Sequence, residues 1–399
     1  MERVVVAGAG LAGLRAVQAA RKAGFAGRLT LVGAEPHLPY DRPPLSKEFL
    51  TGPPLTPTLG GAQGLAEDLG VEVLLGTPAS ALDTEARVLS AEGREVPYDA
   101  LVIATGALAR TLPGAAHLRG VHTLRTLDDA RAVRARLDAG ARTVVVGAGF
   151  IGSELASAAR ARGLDATVLE SLPTPLTRAV GATAGAALGA LHARHGTDLC
   201  CAVTVTGLEG ETDVTGVRLS DGSVVAADLV VVGIGATPAT GWLAGSGLRV
   251  DDGVVCDATL AGAPGVWAAG DVARWPHPDL GVSMRLEHWT NASEQAGHAM
   301  RNALDPGAAQ PYRHVPYFWS DWYGDRIQFV GVPHGEPALV AGAWDEPCFV
   351  ALYRRDARVV GALTLNRRAD IMKYRALIAR GASWQDGLDL AERRRVQAV

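Results

Sequence analysis

Two glycine-rich loops, each followed by an acid, are the residues of this chain whose types and spacing suggest a chemistry. Gly8-x-Gly10-x-x-Gly13 and Gly147-x-Gly149-x-x-Gly152 each end a short β-branched run and open an alanine-rich stretch of helical pattern. The first glycine of such a loop permits a tight turn, the second lets the backbone approach a pyrophosphate, and the third lets helix and strand pack closely. The helix N-terminus is then aimed at the phosphates, with Leu11 and Ala12 opening one helix and Phe150 and Ile151 the other. A second strand follows each helix and ends in an acid, Glu35 or Glu170, 27 and 23 positions beyond the first glycine. A carboxylate there accepts from a ribose hydroxyl. One such loop alone is a weak signal. Strand, loop, helix, strand and acid in order, twice, read as sites for two dinucleotides.

The elements that must position these residues repeat as well. "RVVVAGAGLAGLRAVQAARKAG" from Arg3 and "RTVVVGAGFIGSELASAARARG" from Arg142 align throughout, and Gly24 and Gly163 fall where a helix end favours a left-handed residue. The expected class is α/β, with two Rossmann-like dinucleotide-binding domains. At 399 residues the chain exceeds one core, so several domains are expected. Residues 1–110 and 241–311 read as two parts of an FAD domain, and 111–240 as an NAD domain. From 312 to 399 the strand-like runs "RIQFVGV", "CFVALYRR" and "RVVGALTLN" precede a helix, which reads as a C-terminal α+β domain.

Composition narrows the class. A net charge of −4 gives no footprint for nucleic acid. No apolar run approaches the roughly 18 residues of a membrane span. The opening Met1-Glu2-Arg3 runs straight into a strand, which leaves no room for a signal peptide, so a cytoplasmic protein is expected. The four cysteines, Cys200, Cys201, Cys256 and Cys348, form no C-x-x-C pair and no metal pattern, and read as reduced core or near-core thiols.

Beyond the first loop, "EPHLPYDRPPLSKEFL" (Glu35 to Leu50) resembles the NADH-dependent ferredoxin reductases of bacterial oxygenase and cytochrome P450 systems, a glutathione-reductase-like family of flavoproteins. The resemblance runs nearly end to end, through "LVIATGA" at Leu101, "VVVGIGATP" at Val230, "VWAAGDVA" at Val266, "RLEHWTNASEQA" at Arg285 and "PYFWSDWYG" at Pro316. It implies FAD at the first loop, with Arg42, Lys47, Ala104, Thr105, Gly106, Arg125, Gly270, Asp271, His288, Trp289 and Trp319 as contacts beside Glu35 and the glycines. It implies NADH at the second, with Glu154, Gly235 and Glu287 beside Glu170. In the family, Lys47's position lies near flavin N5, and Glu154's pairs with it and approaches the nicotinamide carboxamide. The aspartate at 271 holds the ribityl chain, and the C-terminal domain lies over the flavin.

Each residue also has a plainer reading. Arg42 alone suggests a surface salt bridge, Lys47 a solvated helix residue, Glu154 a first-turn acid favoured by the helix dipole, and His288 a structural histidine. Ser46 reads as a residue near the N-cap of a helix after Pro43-Pro44. Two departures from the family stand out: Ala34, where relatives often carry an acid, and Trp322, where many carry glutamine. Trp322 reads equally as plain core. Ser171 and Leu172 after Glu170 favour NADH over NADPH, unless Arg178 folds back.

Hydride transfer to a flavin needs orientation more than acid–base help. Disulfide reductases of this fold pass electrons to a cysteine pair beside the flavin, whereas this chain has no cysteine before Cys200. An external one-electron acceptor follows, and the resemblance implies that it is an iron–sulfur ferredoxin, of 2Fe–2S type, feeding an oxygenase or a cytochrome P450. The open alternatives are a redox-sensing protein like apoptosis-inducing factor, and a reductase for rubredoxin or a quinone. Arginine clusters at 354–355, 367–368 and 393–395 are candidates for steering an acidic partner.

Overall fold

A computed structural model describes residues 1–396. Its chain divides into two compact units. One comprises Met1–Asp41, Pro57–Leu108 and Thr237–His314; the other comprises Arg42–Thr56, Ala109–Ala236 and the chain from Val315 onward. The segment 42–56, which the sequence assigns with its neighbours to the first part of the FAD domain, thus lies in the second unit.

In the first unit, the apolar run Arg3–Ala7 is buried from Val4 onward because it is a central strand. It lies between Arg28–Val32 and Ala100–Ile103, parallel to both, in a sheet that continues to Val71–Leu74 on one side and Val266–Ala268 on the other. The helix Leu11–Lys22 buries Leu14, Ala16, Val17 and Ala20 and ends before the left-handed Gly24. It packs along Trp289–Leu304, whose buried alanines at 292, 296, 299 and 303 allow close approach.

The second unit repeats this arrangement. Thr143–Val146 is wholly buried between the parallel strands Ala166–Leu169 and Leu229–Val232, and the helix Phe150–Ala161 follows it. The repeat seen in sequence is therefore a repeat in topology, and both sheets are Rossmann-like. The same unit carries a five-stranded antiparallel sheet, in the order Tyr317–Trp322, Asp325–Gly331, Arg358–Leu365, Phe349–Arg355, Ala338–Ala341, and then the helices Arg368–Ala379 and Trp384–Val396. One face of that sheet packs Ile327, Phe329 and Phe349 against Val180, Leu188 and Leu191. Among the described residues no helix is long and apolar enough to cross a membrane.

Ser46 does lie near the N-cap: it ends a 3-10 turn, Pro43–Ser46, next to Lys47, the N-cap of the single helical turn Glu48–Thr51, although its hydroxyl goes to Glu154 rather than to the helix. One local reading needs correction. Arg367 and Arg394 both bond the buried carboxylate of Asp370 and so fasten the terminal helices, which removes them from any steering cluster. The side chain of Arg395 lies outside the described residues.

The hairpin between Trp322 and Asp325 turns through Tyr323 and Gly324, both left-handed (φ +55° and +94°), a two-residue turn of the kind that matches strand twist. A tyrosine is costly in that conformation, and its contacts offset the cost. Its N–H donates to Ser157 Oγ (2.7 Å), its hydroxyl donates to Thr197 Oγ1 (2.9 Å), and its ring stacks on His195. With the phenol donating to Thr197, it accepts from His192 Nδ1–H (2.7 Å), so Nε2 accepts from the Ser153 hydroxyl (3.1 Å). His192 is fully buried and neutral; burial lowers its pKa from 6.5 to about 4.

A histidine held neutral in this way contributes stability that is complete above pH 6.5 and is lost as the pH falls from 6.5 toward 4, where only the unfolded ring is protonated. His192→Gln, which keeps hydrogen-bonding groups but does not titrate, should flatten the stability curve over that window by about 3 kcal/mol. Denaturant titrations at several pH values measure the difference; parallel curves for variant and wild type would rule out the neutral buried state.

Candidate functional site

The first loop is shaped by its backbone. Gly8 is left-handed (φ +121°), and a Cβ there would meet the Ala104 carbonyl oxygen at 2.1 Å. This contact sets Ala104 and Thr105 directly against the loop, with Gly106 next in sequence. A Cβ on Gly13 would lie 1.8 Å from the Gly8 carbonyl oxygen, whereas one on Gly10 would have nothing within 4 Å. The helix that begins at Leu11 has no side-chain cap and no acid in its first turn. Open space before Gly10, at an uncapped helix start, suits a pyrophosphate.

The other candidates of the first unit surround this loop or follow from it in sequence. Glu35 ends the second-strand segment, and its Oε2 accepts from the Tyr40 hydroxyl at 2.6 Å. Gly270 is left-handed, with its Cβ direction 3.2 Å from the Ala12 methyl, so the Gly270-Asp271 motif lies beside the start of the first helix. The Gly270 N–H donates to Oε1 of the fully buried Gln295 (2.8 Å). Thr105 Oγ1 donates to the Ala239 carbonyl (2.9 Å). His288 precedes the helix that begins at Trp289, and burial lowers its pKa to about 4. The Trp289 indole donates to Asp41 Oδ1 (2.6 Å). Glu287 is exposed, paired with Arg285 (2.8 Å), and belongs to this unit rather than to the one that carries the second loop.

The second loop has the same build. Gly147 is left-handed (φ +102°), with its Cβ direction 2.5 Å from the Gly233 carbonyl oxygen; Gly152 abuts the Gly147 carbonyl at 2.3 Å, and Gly149 is open, its nearest atom 3.9 Å away. Glu170 is held at the mouth of this loop: Oε2 accepts from the Ala148 N–H and Oε1 from the Leu172 N–H, both at 2.9 Å. Gly235, also left-handed, accepts from the Arg110 N–H (3.0 Å). Phe150 packs on Phe318 with ring centroids 4.7 Å apart, while Ile151 is 45% exposed. Arg178 is exposed on the short helix Thr177–Val180.

Glu154 is the fifth residue of its helix, past the first turn, so the dipole reading does not account for it. It is 5% exposed, and four donors meet its carboxylate. Oε2 accepts from Lys47 Nζ (2.7 Å) and Ser46 Oγ (2.5 Å); Oε1 accepts from Ser320 Oγ (2.5 Å) and, at 3.4 Å, from the Asp321 N–H. Lys47 Nζ also donates to the Pro43 carbonyl (3.1 Å), which leaves it a third proton. The solvated reading of Lys47 is thus replaced by a buried ion pair. Arg42 Nη1 donates to the Arg125 carbonyl (2.5 Å), so these two candidates also meet. Trp319 alternates with Ser320 along the strand and lies on its other face, with the Arg326 guanidinium 5.8 Å from its ring. Trp322 is fully buried, as core, and its Nε1 donates to Ser320 Oγ (2.8 Å).

The sequence reading missed Asp41, Ser46, Gln295 and Ser320 as partners of the site. Asp41 and Ser46 lie in "YDRPPLSK", Gln295 in "NASEQA" and Ser320 in "FWSDW", all within segments singled out for other residues. Among the described residues no group of three or more His, Cys, Asp or Glu is placed to hold a metal ion. The four cysteines are free thiols; Cys256 is buried, and burial pushes its pKa up to about 12.

Comparison with known proteins gives a consistent picture. The sequence model of the pyridine nucleotide-disulphide oxidoreductase family matches residues 2–296, and that of the reductase C-terminal domain matches residues 317–393. The chain is 37% identical to rhodocoxin reductase of Rhodococcus erythropolis over 94% of its length and 89% of the relative's. It is 36% identical to the ferredoxin–NAD(+) reductase component of the p-cumate 2,3-dioxygenase system of Pseudomonas putida, over 96% and 94%. Among solved structures, a ferredoxin reductase from Rhodopseudomonas palustris superposes with a TM-score of 0.90 at 35% identity over 96% of each chain. The reductase in the covalent putidaredoxin reductase–putidaredoxin complex does so with a TM-score of 0.89 at 32% identity, over 95% and 93%.

The loop geometry separates two effects of adding one methyl. Gly13→Ala should destabilise the fold by about 3 kcal/mol, because its Cβ meets rigid backbone. Gly10→Ala should leave apoprotein stability unchanged yet weaken FAD binding at least about tenfold, by filling the space before the helix. Apoprotein melting and FAD titration measure the two. Full FAD affinity in Gly10→Ala would place the pyrophosphate elsewhere.

Proposed function

The chain belongs to the pyridine nucleotide-disulphide oxidoreductase family and carries its reductase C-terminal domain, and from that premise we propose that it is an FAD-dependent ferredoxin–NAD+ reductase. It oxidises NADH and passes single electrons to a 2Fe–2S ferredoxin that serves an oxygenase or a cytochrome P450, in the cytoplasm. The observation that carries this reading is the buried Lys47–Glu154 pair at the helix of the second loop, in a chain with no cysteine before Cys200. Residues 1–110 and 241–311, apart from 42–56, are taken as the FAD domain, 111–240 together with 42–56 as the NAD domain and 312–399 as the interface domain.

Bound FAD supplies the chemistry, taking two electrons as a hydride and releasing them singly. The protein binds and orients. Gly8, Gly10 and Gly13 seat one pyrophosphate, and Gly147, Gly149 and Gly152 the other; Glu35 and Glu170 hold ribose hydroxyls, and Asp271 the ribityl chain. With FAD and NADH bound, Lys47 would be the residue that serves the flavin N5 edge with its third proton, and Glu154 the one that serves the nicotinamide carboxamide. Both are held by fixed neighbours, which supplies the orientation that hydride transfer demands. Glu170 places negative charge where a 2′-phosphate would sit, with Ser171 and Leu172 beside it, so NADH is preferred over NADPH.

Anaerobic mixing tests the reading: NADH should bleach the yellow holoprotein rapidly and NADPH slowly, and added ferredoxin should then support cytochrome c reduction. A long-lived charge-transfer species with no transfer to ferredoxin would point to a redox-sensing role, and preferential turnover with rubredoxin or a quinone to another acceptor. Glu170→Ala should raise the KM for NADH about tenfold or more while leaving bound FAD in place. Loss of flavin with unchanged NADH kinetics would mean that the two nucleotide sites are exchanged.

A further inference from the structure

We propose that Trp322 is a positioning residue for hydride transfer: its indole N–H fixes the direction of the Ser320 hydroxyl, which in turn fixes the Glu154 carboxylate. The inference rests on the reading that Glu154 serves the nicotinamide. Trp322 closes the strand Tyr317–Trp322, is fully buried, and lies 5.4 Å from the His192 ring and 6.3 Å from Phe150 by centroid. Its bulk accounts for that packing. Its polar contact is a separate matter.

The indole N–H can only donate. It lies 2.8 Å from Ser320 Oγ, so the serine oxygen must accept from it. Ser320 is itself fully buried, and its single proton is directed to Glu154 Oε1, 2.5 Å away. The relay therefore runs one way, from Trp322 through Ser320 to Glu154. Residues 320 and 322 are two apart on one strand, so both point to the same face and the relay needs no bend in the backbone. The other carboxylate oxygen is held from the opposite direction by Ser46 and Lys47. With each oxygen fixed by a different segment, the carboxylate plane is set before any nicotinamide arrives. A phenylalanine at 322 would leave the Ser320 hydroxyl free to turn. A glutamine could accept as well as donate and would leave the direction open.

Stopped-flow reduction of the holoenzyme by NADH, over a range of NADH concentrations, tests the relay in Trp322→Phe, Ser320→Ala and the double variant. Each single change should lower the limiting rate of flavin reduction about tenfold while changing the dissociation constant for NADH less than about twofold, because positioning is lost rather than binding. The double variant should be no slower than Ser320→Ala alone, since the indole acts only through the serine. Ser320→Thr, which keeps the hydroxyl, should restore most of the rate. If Trp322→Phe fails to hold FAD, replacing Trp322 with 3-benzothienylalanine keeps the ring shape and deletes only the N–H. Effects that multiply in the double variant, or a Trp322 variant as fast as wild type, would overturn the proposal and leave Trp322 as packing alone. A wild-type protein that NADH does not reduce would overturn the reductase reading itself, and the positioning role with it.

Discussion

A carboxylate removed from water must be met by donors, and Glu154, 5% exposed, imposes that requirement on the whole second unit. Its donors come from two places far from it in the chain: Ser46 and Lys47, more than a hundred residues before it, and Ser320 and Asp321, more than a hundred and sixty after it. Removing either set would leave buried charge uncompensated, at a cost of about 3–5 kcal/mol. This accounts for the company kept by Arg42–Thr56, which packs against the helices Leu127–Asp138 and Phe150–Ala161 of the second unit although the first loop precedes it in sequence. Arginines complete the attachment. Arg134 donates to the carbonyls of Phe49 and Gly52 (2.5 and 2.6 Å), and Arg162 to that of Leu50 (2.5 Å). The segment is too short of helix to satisfy its own backbone, so side chains from two neighbouring helices do it.

The duplicated loops show which parts of a nucleotide site are generic. Gly8 and Gly147, Gly10 and Gly149, Gly13 and Gly152 have matching clearances, down to the open second glycine. The repeat breaks at the position after Leu14 in one copy and Ser153 in the other. There the first copy has Arg15, bonded to Gln18 one turn along the same helix (2.8 Å), and the second has Glu154. Phosphate seating is thus common to both halves, while the residue nearest the proposed chemistry is where the copies diverge.

What could be read in the sequence was what is local. Strand, glycine loop, helix and acid occupy a window of about thirty residues, and each rule that identifies them acts within it. The α/β class, both central strands and the α+β end of the chain follow from such windows. Residues whose roles depend on distant partners could not be read in this way. Ser46 satisfied a local rule for helix caps, but a buried carboxylate elsewhere in the chain claimed its hydroxyl. Arg367 and Arg394 looked like surface charge because Asp370, which they share, is an ordinary helix residue in sequence. The alternation in "FWSDW" does place Ser320 and Trp322 on one strand face, but nothing in those five residues says that Glu154 lies opposite it.

The arrangement around Glu154 also constrains how that residue can act. A carboxylate has about four lone-pair sites, and all are engaged: three by donors at 2.5–2.7 Å and one by the Asp321 N–H at 3.4 Å. A group so fully engaged is a fixed point in the site, which suits hydride transfer, where orientation is what the protein must supply. It can take on an additional amide donor only where an existing bond is weak. The long contact from the Asp321 backbone is that place, because giving it up leaves the three short bonds, and with them the carboxylate plane, undisturbed.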